Sequence, residues 1–317
     1  MINLIISPIL VILAHFIVNE GNEPRGFEYY NRMNDAELRL PGYKDDDDAL
    51  RLKIRQLELI NKSRKKFRAD PVELDILACR VANKAAREAA ENSYISHWNM
   101  AGEKPYHRYA FAGGYDHVAE NVFGEWTTGT YIKSSAEIER LMKSGHTSFM
   151  SEKAPADGHK KNIISKTHNY VGLGFCLTDN QFRYYEEYID RYLSFEDIPS
   201  QLTAGQETSI TFSCNGNYYP YFILIYREDV PAPMKPSELN KTGSYSDYTS
   251  EEFLQLTAWE IARYKKGDKY IVPLSFKKAG LYYIHLYTGD REIKTPATLN
   301  TKGKSPCSGI VIRVTPR

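Results

Sequence analysis

The chain opens on an apolar stretch, residues 1–18, and then turns polar and irregular over 19–45. From 49 to 67 the apolar positions Leu50, Ile54, Leu57 and Ile60 recur at spacings of three and four, which sets one stripe on a helix. The acidic run Asp45, Asp46, Asp47 and Asp48 stands just before it, where the positive end of a helix dipole favours negative charge. A second helix is expected from Asp75, an N-cap residue, with Leu77, Val81, Ala85 and Ala89 inward; the alanines allow close approach of another layer. Ser134 and Glu137 have capping-box spacing and start a third helix, which carries Ile138, Leu141 and Met142 inward and ends near Gly145.

Alternation then replaces the helical period. Val171, Leu173 and Phe175 share one face of a strand, and Gly172 and Gly174 share the other, where a backbone can come close. Residues 181–193 return as an aromatic second strand. Beyond 197, short strand patterns at 208–214, 220–227, 269–276, 281–288 and 309–314 predict an all-β sandwich of immunoglobulin-like architecture, with 228–267 left unplaced.

A length of 317 residues fits two domains. The 41 Lys and Arg balance the 40 Asp and Glu, so no nucleic-acid partner is implied, and Arg64, Lys65 and Lys66 read as a solvated helix face. The 24 tyrosines suit half-exposed sheets and argue against disorder. The apolar N-terminus reads as a signal peptide, with an uncleaved membrane anchor as the alternative; both send the chain out of the cytosol. Asn61 and Asn240 stand in glycosylation sequons. Of the four cysteines, Cys79 on an apolar helix face reads as a buried thiol, Cys214 and Cys307 are candidates for a bridge, and the pairing that would involve Cys176 is open.

Four stretches follow in order: Tyr94-Ile95-Ser96-His97-Trp98, His117-Val118-Ala119-Glu120-Asn121, Gly158-His159-Lys160-Lys161-Asn162-Ile163, and Val171-Gly172-Leu173-Gly174-Phe175. Together they resemble the CAP superfamily of cysteine-rich secretory, antigen 5 and pathogenesis-related-1 proteins (the SCP-like domain), in its cysteine-poor, bacterial-type branch. The resemblance covers about 50–193. It implies an α+β chain, a three-layer α/β/α sandwich followed by the β-sandwich, divided as signal peptide or anchor 1–18, linker 19–45, CAP domain 46–196 and β-domain 197–317.

The resemblance also implies a shallow cleft holding His97, His159 and Glu120, with a second acid after the third helix, where the aligned position falls at Gly145 or His146. Two imidazoles can hold Zn²⁺ and leave positions open. His97 and His159, with His146 and Glu120 as further candidates, are therefore the expected metal ligands and Zn²⁺ the expected ion. Asn121 and Asn162 read as structural hydrogen-bonders, and His107, His117 and His168 as ordinary polar residues. The function implied is extracellular binding of a lipid, a sterol or a protein partner. A metal-assisted hydrolase (with His97, Glu120 and His159 as its catalytic candidates) and an adhesive scaffold are the alternatives, and residues 1–18 offer membrane association.

Overall fold

A computed structural model describes residues 25–246, 251–301, 304 and 306–317. The expected signal peptide or anchor, 1–18, lies outside the described residues. Among those described, no helix is long and apolar enough to cross a membrane.

The first region runs through α1 (Phe27–Ala36), α2 (Asp47–Lys66), β1 (Glu73–Leu74), α3 (Ile76–Glu91), α4 (Pro105–Phe111), β2 (His117–Trp126), α5 (Ser135–Ser151), α6 (Gly158–Ile164), β3 (Tyr170–Leu177) and β4 (Gln181–Asp190). Its sheet has the order β1-β3-β4-β2, with β1 parallel to β3 and the other pairs antiparallel, so β2 is an edge. The apolar stripe of α2 packs with Leu141 and Met142 of α5 against Leu173, Phe182, Tyr184 and Tyr188 on one face of that sheet. The alanine stripe of α3 covers Val122 and Tyr185 on the other. These are the three layers that the periodicities ask for. Asp46 and Asp75 cap α2 and α3, accepting from Ala49 N and Ala78 N at 2.8 and 2.6 Å.

The close approach expected at the two β3 glycines is present. A Cβ on Gly174 would lie 2.1 Å from the Ala82 carbonyl carbon, and one on Gly172 would lie 2.4 Å from that of Ala78.

The second region comprises β5 (Leu193–Phe195), β6 (Gln201–Thr203), β7 (Glu207–Cys214), β8 (Tyr219–Glu228), α7 (Pro236–Leu239), β9 (Glu251–Thr257), α8 (Ala258–Ile261), β10 (Lys265–Lys266), β11 (Lys269–Ser275), β12 (Gly280–Gly289) and β13 (Ile310–Thr315). They form two sheets, β10-β11-β7-β5 and β6-β13-β12-β8-β9. Ile210, Phe212 and Val272 of one sheet meet Ile223, Ile284 and Ile312 of the other in one buried cluster.

Several expectations are corrected. Residues 27–43 are not linker: α1 docks through Tyr30 and Asn34, 2% and 1% exposed, and Arg80 of α3 donates to the carbonyls of Asn34 and Arg39 at 2.7 and 2.6 Å. Strand β5, Leu193–Phe195, pairs with β7 of the second region. Arg64 is not on a solvated face; its guanidinium is buried and donates to the carbonyls of Asp70, Ile163 and His168. Helix α5 runs past Gly145 to Ser151, because a glycine there lets the helix press against Phe123 and Tyr184. The expected Cys214–Cys307 bridge is absent and all four cysteines are free thiols. Cys79 is buried as expected, its thiol pushed up to about 12 by burial. The Asn61 amide is hydrogen-bonded to the Val72 backbone, and the exposed Asn240 amide to the backbones of Ile95 and Ser93.

The regions share a core. Leu77 and Val81 of α3, Tyr106 and Tyr109 of α4, and Val118 and Ile189 of the first sheet cluster with Leu281, Tyr283 and Val311 of the second region.

Gly174→Ala should cost about 3 kcal/mol of unfolding free energy, since backbone rather than a side-chain tip opposes the new methyl. Urea denaturation of the full chain measures it; a loss under about 1 kcal/mol would mean that α3 can move away from β3.

Candidate functional site

Beyond α3 the chain turns at Ser93, with φ 55°, and runs along β4, where Tyr185 Oη donates to Ser96 O at 3.0 Å. Helix α4 then brings up Arg108, whose Nη1 donates to His97 O at 2.6 Å. Its Nη2 donates to Glu120 Oε2 and lies 3.6 Å from Glu187 Oε1. Glu120 and Glu187 are directly opposite in the β2/β4 register, and both are buried. The other oxygen of Glu120 holds His97 Nδ1 at 2.8 Å.

Charge in this cluster follows from burial and one cation. Burial, with the charge of Glu120 added, pushes the Glu187 carboxyl well above the ordinary range, so it is the neutral member of the pair. Burial also raises Glu120, to about 7, against the pull of Arg108. Burial and the Arg108 charge hold His97 down at about 4. His97 is therefore a neutral imidazole at physiological pH, with its proton on Nδ1 toward Glu120 and its lone pair on Nε2.

A second histidine–carboxylate pair stands across the cleft. Glu152, at the end of α5, holds His159 Nδ1 at 2.5 Å and accepts from the backbone N–H of His159 at 3.0 Å. The two imidazole rings are 6.5 Å apart, with 29° between their planes. Asn121 donates to His159 O at 3.1 Å, and Asn162 donates to Asn121 Oδ1 at 2.9 Å, which ties α6 to the edge strand. The cleft has a volume of about 420 Å³ and is lined by both pairs, by Asn162, and by Ser244 and Tyr245 from the second region. Tyr245 Oη accepts from Glu120 N at 3.0 Å, and its ring lies 4.8 Å from that of His97.

The sequence model of CAP, the cysteine-rich secretory protein family, matches residues 57–188. The chain carries a CAP domain. Among solved structures it is similar to an extracellular protein containing an SCP domain from Bacillus anthracis str. Ames, at 18% identity and TM-score 0.33, over 43% of this chain and 39% of that one. An outer surface protein from Borrelia burgdorferi is similar at 20% identity and TM-score 0.34, over 44% and 91%. A cysteine-rich secretory protein from Staphylococcus aureus subsp. aureus Mu50 is similar at 15% and 0.29, over 44% and 38%. The similarity thus spans well under half the length of the Bacillus and Staphylococcus chains. No curated protein matches.

The CAP domain brings His97, Glu120 and His159 into one cleft, but it does not bring His146 there. His146 is buried between α2 and the sheet, with Nε2 at 2.8 Å from Ser63 Oγ and Nδ1 at 3.9 Å from Glu186. The second acid is Glu152, which stands beyond the aligned position because α5 runs on to Ser151. Among the described residues, no group of three or more His, Cys, Asp or Glu side chains could hold a metal ion. Glu120 is spent on His97 and Arg108, and Glu152 on His159 and the start of α6. Two imidazoles are fewer than the three protein ligands of a catalytic zinc site, so the residues present do not fit the expected Zn²⁺.

Glu187→Gln tests the charge assignment. A carboxyl raised in the folded state stabilises below its unfolded value, and that stability is lost as pH rises toward the folded value. Gln mimics the neutral acid at every pH. The variant should match wild type near pH 4.5 and gain on it above that, by up to about 1.4 kcal/mol per pH unit. Urea midpoints across pH 5 to 8 read this, and a variant that loses ground as pH rises overturns it.

Proposed function

We propose that this chain is an extracellular protein whose CAP-domain cleft binds a polar peptide segment of an extracellular partner. The observation that carries this reading is the pair of carboxylate-backed imidazoles facing each other across the cleft. The neutral His97 ring offers its Nε2 lone pair to a donor such as a peptide N–H, while Tyr245 supplies a flat face with little rotamer entropy to lose. The extracellular placement is drawn from the printed descriptions of the similar proteins, as extracellular, outer surface and secretory.

A hydrolytic reading finds no nucleophile beside the imidazoles: Ser96 Oγ is bonded to Thr242 Oγ1 at 2.7 Å and accepts from Trp98 N at 3.0 Å. In this proposal the second region, an immunoglobulin-like sandwich in its two facing sheets, supplies the wall of the cleft that carries Ser244 and Tyr245.

Selection from a random peptide display library on the full chain, counter-selected on His97→Ala/His159→Ala, should enrich peptides that bind wild type at least about tenfold more tightly. Peptides that bind both proteins alike would move recognition elsewhere on the surface.

Calorimetric titration with Zn²⁺ at neutral pH separates the metal reading. The expected result is no micromolar site. A micromolar site that vanishes in the double variant, with its fold kept, would replace the peptide reading by a metal-dependent one.

A further inference from the structure

A second set of histidines lies beside the cleft. His117 stands opposite Asp190 in the β2/β4 register. Its Nδ1 is 3.1 Å from Asp190 Oδ2, while His168 Nδ1 is hydrogen-bonded to Asp190 Oδ1 at 2.6 Å. Thr167 Oγ1 donates to the same carboxylate at 3.2 Å. One fully buried aspartate thus serves two imidazoles, whose rings are 6.4 Å apart and 17° from parallel. Sequence reasoning takes both histidines as ordinary polar residues, yet they are 9% and 5% exposed.

Both rings line a cavity of about 400 Å³, together with Lys161, Asn162, Ser165 and Ser246. No hydrogen bond to a described residue occupies the Nε2 atom of either ring. Among the described residues no Asp or Glu lines this cavity, and Asp190 sits behind the rings.

We propose that this cavity is an oxyanion site that takes a phosphate group, free or carried on a phospholipid. Asp190 is hydrogen-bonded to His168 Nδ1 and lies 3.1 Å from His117 Nδ1, so its charge sits behind both rings. Each ring can present an Nε2–H to a phosphate oxygen, and hydrogen bonds to an ionised acceptor are the strong ones. Burial alone would raise Asp190, but His168 and His117 outweigh it and hold the carboxylate ionised. Lys161 adds a cation at the rim; its side chain is 63% exposed and pairs with Asp157 at 2.7 Å, a surface contact that a phosphate can displace. Ser165 also lines the cavity, with its hydroxyl bonded to Thr167 Oγ1 at 3.0 Å.

The other groups against the rings are compatible with added positive charge. Tyr106 meets His117 edge-on at 5.4 Å, Tyr188 stacks on His168 at 5.3 Å, and Arg64 donates to the His168 carbonyl rather than facing its ring. Two imidazoles without a third ligand again make a poor zinc site. The cavity is chemically distinct from the cleft, whose walls carry Glu120 and Glu152. Tyr245 lines both.

The test is titration of the full chain with inorganic phosphate at about pH 6, where imidazoles readily carry charge. It is followed by calorimetry and by the ¹⁵N shifts of the imidazole nitrogens, which need no variant. Saturable millimolar or tighter binding that moves the His117 and His168 nitrogens is expected, weakened about tenfold or more in His168→Gln and in Lys161→Met. His97→Gln, in the cleft, should leave phosphate binding unchanged, so failure of the peptide reading and failure of this one are distinguishable.

Vesicles of phosphatidylcholine with and without phosphatidic acid separate the sources. Phosphate-competed binding to the acidic vesicles assigns a lipid headgroup; phosphate binding without vesicle binding assigns a soluble anion. Binding that survives both substitutions overturns the proposal, and so does a phosphate titration with neither heat nor shift change.

Discussion

Arg108 is wedged between two glutamates that the sheet register forces together. Cross-strand neighbours of like charge repel, and Glu120 and Glu187 do so with both carboxyls out of water. One guanidinium holds Glu120, while burial and the Glu120 charge keep Glu187 in its neutral form. Because the same guanidinium also holds the His97 carbonyl, the solution to a sheet problem fixes the position of the first cleft imidazole. Helix α4, the loop after α3, β2 and β4 all meet at this one side chain, so cleft geometry and fold stability cannot be separated there. Removing one partner of such a buried set leaves the rest uncompensated, which costs far more than a surface ion pair is worth.

The second constraint is the segment that leaves β8 and returns over the CAP domain. Leu239, fully buried, packs on the alanine face of α3, and burying a side chain of that size contributes about 2 kcal/mol. Met234 N bonds Met100 O, and Asn240 bonds both Ile95 and Ser93, so the crossing is pinned on both sides of α7. Tyr245 emerges from this anchored crossing, which is why its hydroxyl can meet Glu120 N. With Leu281, Tyr283 and Val311 inside the shared cluster, the second region is a structural part of the CAP domain's surroundings rather than an appended module. An isolated 198–317 fragment would expose these three side chains.

Much of this was legible because local physics agreed with the final packing. The stripes of α2 and α3, the aspartate caps and the small residues of β3 each state their role in a short window. The motif pairing of His97, Glu120 and His159 was readable because each residue sits in its own recognisable stretch. What escaped depends on partners distant in sequence. Glu152 was missed because Gly145 looked like a helix end; the apolar pair Phe149 and Met150, one turn on, was the signal that α5 continued. Arg108 and Glu187 have no local mark, since their meaning arises only when β2 and β4 register. Tyr245 lies in the segment that periodicity could not place, because the crossing is held by single hydrogen bonds rather than by a repeating pattern.

His117 and His168 were passed over for the same reason, and the comparison with the cleft shows what registration adds. In the cleft each imidazole has its own carboxylate, and Arg108 is held by Glu120. In the neighbouring cavity two imidazoles stand against a single aspartate. The same device, a carboxylate behind an imidazole, thus recurs on the two sides of Tyr245 with different stoichiometry. Both placements follow from β-strand register: His117 faces Asp190 at the first pair of the β2/β4 ladder, and Glu120 faces Glu187 three pairs on. A one-residue slip of β2 on β4 would turn these side chains to the wrong faces and abolish both surfaces together.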